Sequence, residues 1–179
     1  ENKKVLYIEK PIQEDIIVLD FDNGTKNTNT QDHPYLVKGK GWSSYNPPET
    51  LRKYKLSVKQ LEEGDIVYFN DKGKLKETKL VKITETPGAV QTYNLKNIED
   101  NHNYFANNVL VHNKDDGSCF SSKEQVFTPS GIRGISDIRV NDKVVSYDKN
   151  TNSFTESVVG EVIIHDGKQS WMNNFAKHP

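Results

Sequence analysis

Short apolar runs, each followed by a turn signal, dominate the chain. These runs are rich in Val, Ile, Tyr and Phe, which favour strands, and few stretches have helical periodicity. Turns of the types Asp-Asn-Gly, Asp-Lys-Gly, Pro-Gly and Asp-Gly separate them. The pattern therefore predicts an all-β domain. The predicted strands are 5–8, 16–21, 35–37, 66–69, 79–83, 91–95, 109–111, 125–127, 143–147 and 157–164.

Three kinds of segment lie between or beside these strands. Helical turns at 58–62 and 135–138 are too short to change the predicted fold class. The stretch 43–56, which contains Asn46-Pro47-Pro48, is predicted to be a long irregular loop. Residues 114–118, Lys-Asp-Asp-Gly-Ser, are predicted to form a flexible connector.

A weak internal repeat relates two parts of the chain. Residues 61–73 and 138–150 both start with an apolar residue and have an Asp four residues later. Both then continue into a Val-containing strand and an Asp-Lys turn. Two copies of one β unit predict a pseudo-twofold domain.

The length and the charge of the chain limit the classes of function that it can have. With 179 residues the chain is predicted to be one domain, 1–179. A net charge of −1, with both signs interspersed, argues against a nucleic-acid partner, which requires clustered positive charge. No apolar run is long enough for a membrane-spanning helix, so no membrane partner is expected. The start at Glu1, without Met or a signal pattern, indicates a processed or excised segment.

The single cysteine lies shortly after an apolar run that ends in His112-Asn113. One cysteine excludes an internal disulfide, and no CxxC or HExxH motif indicates a metal site. A thiol at Cys119 can attack the carbonyl of Ser118 and form a thioester. The side-chain amide of Asn113 can attack its own carbonyl and cut the bond to Lys114. Two residues that can break their own peptide bonds thus flank one connector.

Four sequence blocks together resemble those of inteins, the self-splicing members of the hedgehog/intein (Hint) superfamily. Cys119 matches the nucleophile that opens the first block, and Thr30 and His33 match the Thr-x-x-His motif of the second. The pair His112-Asn113 matches the family's C-terminal pair, and His102 matches its upstream histidine. The resemblance implies a Hint-type horseshoe β fold with a pseudo-twofold repeat.

The blocks occur in permuted order. Residues 1–113 correspond to the C-terminal portion of an intein, 119–179 to the N-terminal portion, and 114–118 to the flanking extein residues. Joining Pro179 to Glu1 would restore the usual order. The chain therefore resembles a circularly permuted, engineered form of a bacterial intein-like domain, whose location would follow that of its host protein.

The resemblance implies a role for each catalytic candidate. Cys119 would perform an N–S acyl shift, and His33 would protonate the leaving amide nitrogen. Thr30 would either orient His33 or hydrogen-bond the developing oxyanion. His112 and His102 would assist succinimide formation at Asn113. No cofactor or metal is implied. The substrate would be the chain's own flanking extein sequence, and the chain would be a monomer, or a dimer that exchanges its halves.

Two departures from the intein pattern change the expected outcome. Lys114 stands where inteins carry Cys, Ser or Thr, so junction cleavage is favoured over complete splicing. Asn94 stands where many inteins carry an Asp that couples the two junctions.

Two alternative functions follow from the same residues. His33, His102, His112 and Cys119 are residue types that bind zinc, although their spacing matches no structural zinc pattern. The other alternative is an inactive β scaffold.

Overall fold

The computed structural model describes residues 15–88, 90–98, 100–113 and 119–165. The predicted strand 5–8, the junction of Pro179 with Glu1, and the candidates Lys114 and Ser118 lie outside the described residues.

The described residues are mostly strand, with one α-helix and one 3-10 turn. The helix α1 is Pro47–Tyr54 and the 3-10 turn is Ile135–Asp137. The strands are β1 Ile16–Phe21, β2 Lys26–Thr30, β3 Tyr35–Val37, β4 Gly41–Ser44, β5 Lys59–Gln60, β6 Ile66–Asp71, β7 Lys74–Thr86, β8 Thr92–Ile98, β9 Asn103–Ala106, β10 Val109–His112, β11 Phe120–Ser121, β12 Gln125–Thr128, β13 Gly131–Gly134, β14 Lys143–Asp148 and β15 Ser153–His165.

The strands form one continuous hydrogen-bonded system. Its order is β13-β12-β9-β10-β3-β6-β7-β1-β2-β11-β8-β15-β14, with β4 beside β3 and β5 beside β4. The pairing is antiparallel except between β4 and β5. The long strand β7 pairs with β6 in its first half and with β1 in its second. The all-β prediction is confirmed, whereas the Hint-specific horseshoe and the circular permutation are not.

The helix α1 corrects the predicted loop at 43–56. Asn46 caps its N-terminus, since its side-chain oxygen accepts a hydrogen bond from the Glu49 amide at 3.2 Å. Pro47 occupies the first helical position, where the missing N–H costs nothing. Lys55 ends the helix in the left-handed conformation, with φ of 54°. The predicted helical turn at 58–62 is wrong, because β5 lies there.

The two repeated segments form similar hairpins. Hairpins β6–β7 and β14–β15 each join a strand of 6 residues to one of 13. In the first, the amide of Leu80 donates to the carbonyl of Asp65 at 2.8 Å. In the second, the amide of Val159 donates to the carbonyl of Asp142 at 2.9 Å. The sequence repeat therefore corresponds to a repeated hydrogen-bonding pattern.

The apolar residues form a large core and a smaller second cluster. The large core runs through the middle strands and includes Leu19, Val67, Leu80 and Leu95, all fully buried. The smaller cluster contains Phe105, Leu110, Val145 and Tyr147. In the part of the chain that the structure describes, no helix is long and apolar enough to cross a membrane.

Candidate functional site

Thr30 and Cys119 lie side by side although 89 positions separate them. Thr30 ends β2 and Cys119 directly precedes β11, and these strands pair antiparallel with Phe120 opposite Asn29. The Thr30 amide donates to the Cys119 carbonyl at 3.0 Å. The Cys119 amide donates to Oγ1 of Thr30 at 3.2 Å. The structure thus brings together two of the predicted site residues.

His33 lies one turn beyond Thr30, because its amide donates to the Thr30 carbonyl at 3.1 Å. Its ring is buried and contacts the edge of Phe120, with 4.2 Å between ring centroids. Neither ring nitrogen has a hydrogen-bond partner among the described residues. Burial lowers the pKa of His33 to about 3, and His112 contributes in the same direction. The imidazole is therefore neutral near pH 7.

The thiol of Cys119 is also held in its neutral form. The residue has no exposed surface, and this burial raises the pKa of the thiol to about 12. The thiolate is the nucleophilic species, and at neutral pH it is a very small fraction of the molecules. The group has the burial of a structural cysteine rather than the partial exposure of a reactive one.

The side chain of Asn113 connects two residues of β8. Its Oδ1 accepts a hydrogen bond from the Ile98 amide at 3.1 Å, and its Nδ2 donates to the Leu95 carbonyl. The Asn113 amide donates to the His102 carbonyl at 2.7 Å. Both polar atoms of the side-chain amide are therefore bound to backbone groups.

The remaining predicted residues are placed less closely together. His112 is half-buried, and its ring packs edge-on against Trp42 at 4.7 Å between centroids. His102 contacts Asn113 through its carbonyl, while its side chain is exposed and its φ is 49°. Asn94 is buried on β8, and its Nδ2 has no hydrogen-bond partner among the described residues.

Asp32 is a buried charged residue that the sequence prediction missed. Its carboxylate accepts a hydrogen bond from the Tyr54 hydroxyl and pairs with Nζ of Lys53 at 3.2 Å. Its carbonyl accepts a hydrogen bond from Oγ1 of Thr50 at 2.9 Å. All three partners belong to α1, so this residue attaches the helix to the loop that carries His33. Asn46 and Pro47 mark the start of this helix in the sequence, and recognising the helix could have pointed to Asp32 as its attachment.

A second missed residue, Glu124, lies in the turn between β11 and β12. Its Oε1 accepts hydrogen bonds from the Thr28 amide at 2.9 Å and from Oγ of Ser121 at 3.2 Å. Its Oε2 accepts one from Nδ2 of Asn107. Burial raises the pKa of this carboxyl to about 7, since the hydrogen bonds from Thr28 and Ser121 offset desolvation only in part.

The arrangement does not form a metal site. Among the described residues, no group of three or more His, Cys, Asp or Glu side chains could hold a metal ion. The zinc-binding alternative built from His33, His102, His112 and Cys119 is therefore not supported.

Five partly exposed apolar side chains form a separate surface, here named the aromatic face. They pack on the smaller buried cluster, where the ring of Phe154 stacks on Phe105 at 5.4 Å between centroids. They come from five different strands, of which only β6 and β7 are consecutive in the sequence. The aromatic face consists of Leu36, Tyr68, Leu75, Phe127 and Phe154.

A groove of about 370 Å³ is lined by two members of the aromatic face, Phe127 and Phe154. Its walls come from the β6–β7 turn, the β12–β13 hairpin and the β14–β15 hairpin. Its described lining carries no charged side chain and consists of Gly73, Phe127, Thr128, Pro129, Gly131, Val145 and Phe154.

A family model matches the N-terminal part of the chain. Residues 3–72 match the AXH family, described as the Ataxin-1 and HBP1 module. The matched segment includes β1 to β6 and α1. No curated protein and no solved structure matches the chain.

This match overturns the identification as an intein. The predictions of protein splicing, junction cleavage and autocatalysis are wrong, and a self-substrate of flanking extein sequence is not supported. The structure gives a physical reason at both junction residues. The Cys119 thiol is buried and neutral, and the Asn113 side-chain amide is bound to Leu95 and Ile98. The sequence blocks that resemble intein motifs contain polar groups that connect strands.

Proposed function

We propose that this chain is a protein-interaction module whose binding surface is the aromatic face. The observation that carries the proposal is the clustering of five partly exposed apolar side chains over their own buried cluster. Contiguous apolar surface that remains exposed in a folded domain is typical of interaction sites. Aromatic residues are also enriched at protein–protein interfaces relative to the remaining surface.

The family match supports the same class of function. In ataxin-1 and HBP1 the module is a protein–protein and RNA-binding domain. Two members of the aromatic face, Leu36 and Tyr68, lie within the matched residues 3–72. A protein partner fits this chain better than RNA, because its net charge is −1 and the groove lining is apolar.

The predicted catalytic residues receive a structural role in this proposal. Thr30 and Cys119 connect β2 to β11, and Asn113 connects the end of β10 to β8. His33 fills the space beside Phe120 as a neutral ring. These contacts hold the strands in register, so the aromatic face is presented by a rigid scaffold.

The continuous strand system of the described residues supports a single domain. We assign 1–179 to one domain, in which hairpins β6–β7 and β14–β15 are the two units of a pseudo-twofold repeat. The aromatic face supports this assignment, because Tyr68 and Leu75 come from the first hairpin and Phe154 from the second. Both units are therefore needed to build the surface.

A selection experiment tests the proposed function. The full 179-residue chain would be immobilised and used to select binders from a displayed library of random peptides. Enriched peptides would be synthesised, and their affinities measured by fluorescence anisotropy for the wild type, Phe154→Ser and Phe127→Ser. Leu51→Ser is the matched control, because Leu51 is 50% exposed on α1 and outside the aromatic face.

The expected result is about thirtyfold weaker binding by each aromatic-face variant, as for loss of a hot spot worth about 2 kcal/mol. The control should bind like the wild type. Thermal unfolding would confirm that each variant is folded. The proposal is wrong if no peptide is enriched or if all variants bind equally. Tight binding of a mixed-sequence single-stranded RNA instead would assign the chain to the RNA-binding class.

A further inference from the structure

The turn between β6 and β7 places two lysines beside the groove. Gly73 lines the groove, and Lys72 and Lys74 flank it in the sequence with exposed side chains. Positive φ values of 52° at Lys72 and 81° at Gly73 are typical of a tight hairpin turn. Oδ1 of Asn70 accepts a hydrogen bond from the Gly73 amide at 2.8 Å and so fixes the turn.

These two ammonium groups are available to a partner. Among the described residues, neither Lys72 nor Lys74 has an ion-pair partner. Asp71, the acidic residue of the same turn, pairs instead with Lys76. That pairing is the main reason why the pKa of Asp71 lies below its usual value.

The opposite hairpin carries one carboxylate at the start of its turn, and two local hydrogen bonds hold it in place. Asp148 ends β14, and its Oδ1 accepts a hydrogen bond from the Asn150 amide at 2.8 Å. Its Oδ2 accepts one from Oγ1 of Thr151 at 2.9 Å. The groove has an apolar floor, and its β6–β7 end carries an excess of positive charge, because residues 71–76 contain three lysines and one aspartate.

Resting on the proposed function, we infer that the partner is a protein segment that carries an apolar anchor followed by acidic residues. The apolar side chain fills the groove between Phe127 and Phe154, and the acidic residues lie over the β6–β7 turn, near Lys72 and Lys74. The apolar contact supplies most of the affinity, and the charges supply selectivity between competing segments.

A charge-swap cycle tests this inference. A selected peptide with acidic residues would be compared with its Asp→Asn and Glu→Gln version, at low and physiological ionic strength. Each would be titrated against the wild type and the Lys72→Gln/Lys74→Gln variant. Lys82→Gln is the control, because Lys82 is exposed on the same strand but lies opposite Asp20 of β1, away from the turn.

The expected result is about three- to fivefold weaker binding of the acidic peptide by the double variant, with a smaller salt dependence. The amide peptide should bind both proteins equally. The inference would be overturned if the double variant lost the same affinity for both peptides, or if the wild type did not prefer the acidic peptide. In that case a continued loss of binding by Phe154→Ser would show that the proposed function survives. Equal peptide affinities for the wild type and Phe154→Ser would instead reject the proposed function itself.

Discussion

The backbone amide of Cys119 and the backbone amide of Thr30 each donate a hydrogen bond to an oxygen of the other residue. The two distances are 3.2 Å to Oγ1 of Thr30 and 3.0 Å to the Cys119 carbonyl. Both residues are fully buried, so neither bond can be replaced by bulk water. This pair fixes the start of β11 against the end of β2.

Replacing Thr30 by Val should destabilise the fold, because the Cys119 amide would be buried without an acceptor. The expected loss in free energy of unfolding is about 1–3 kcal/mol. Thr30→Ser keeps the hydroxyl and should retain most of that stability. Urea denaturation of the three proteins measures the difference. A loss for Ser with none for Val would show that the methyl group, rather than the hydrogen bond, is what matters.

Cys119 should react with a disulfide reagent such as DTNB only when the chain unfolds. The thiol is buried and its pKa is raised to about 12, so thiolate is scarce at pH 8. The labelling rate at pH 8 should rise with urea in parallel with unfolding. In a Cys119→Ala background, Ser130→Cys supplies an exposed control thiol that reacts at once. Rapid labelling of native Cys119 would contradict the structure.

Acidification should destabilise the chain through His33. Its pKa is about 3 when folded and near 6.5 when unfolded, so only the unfolded chain binds the proton in between. Stability is lost as pH falls from about 6.5 toward 3, with a slope of up to about 1.4 kcal/mol per pH unit. His33→Gln removes this contribution. Parallel stability curves for the two proteins between pH 6.5 and pH 4 would refute it.

Glu124 should have the opposite effect on the pH dependence. Its pKa is raised from 4.5 to about 7 on folding, so the folded chain holds a proton that the unfolded chain has already lost. The stabilisation is fully present below about pH 4.5 and is lost as pH rises to about 7. Glu124→Gln should lack this loss and keep the His33 contribution, so its stability relative to the wild type should increase from pH 4.5 to 7. A wild-type chain whose stability increases from pH 4.5 to 7 relative to the variant contradicts the raised pKa.

Much of the fold could be predicted from the sequence, because strand signals are local. The predicted strands 16–21 and 35–37 coincide with β1 and β3. The strand 79–83 was predicted too short, since β7 extends over 13 residues as it passes from β6 to β1. The exposed and buried positions of β7 follow no single alternation, because β6 covers its first half and β1 covers its second.

The helix α1 was missed for a different reason. The pair Pro47-Pro48 indicates a loop when it is considered alone, yet a proline at the first helical position after an Asn cap favours a helix start. The cap depends on a hydrogen bond that the backbone amide of the third helical residue, Glu49, donates to the side-chain oxygen of Asn46. Position relative to the cap, rather than composition, decides between loop and helix.

The candidate site shows what sequence motifs leave undetermined. The sequence could identify Thr30, His33 and Cys119 as a polar group, and the fold does bring them together. Their chemistry depends on burial, which moves the pKa of the thiol up and that of the imidazole down. That burial comes from distant strands. The aromatic face was not predicted at all, because its five members come from five separate strands.

The most direct test of the account is an amide chemical-shift titration of the isotope-labelled chain with a selected peptide. We expect the largest shifts at Phe127, Val145 and Phe154, along the groove, and much smaller shifts in Phe154→Ser at the same peptide concentration. Shifts centred on Thr30, His33 and Cys119, with the aromatic face unchanged, would contradict it and place the binding site at the buried polar group.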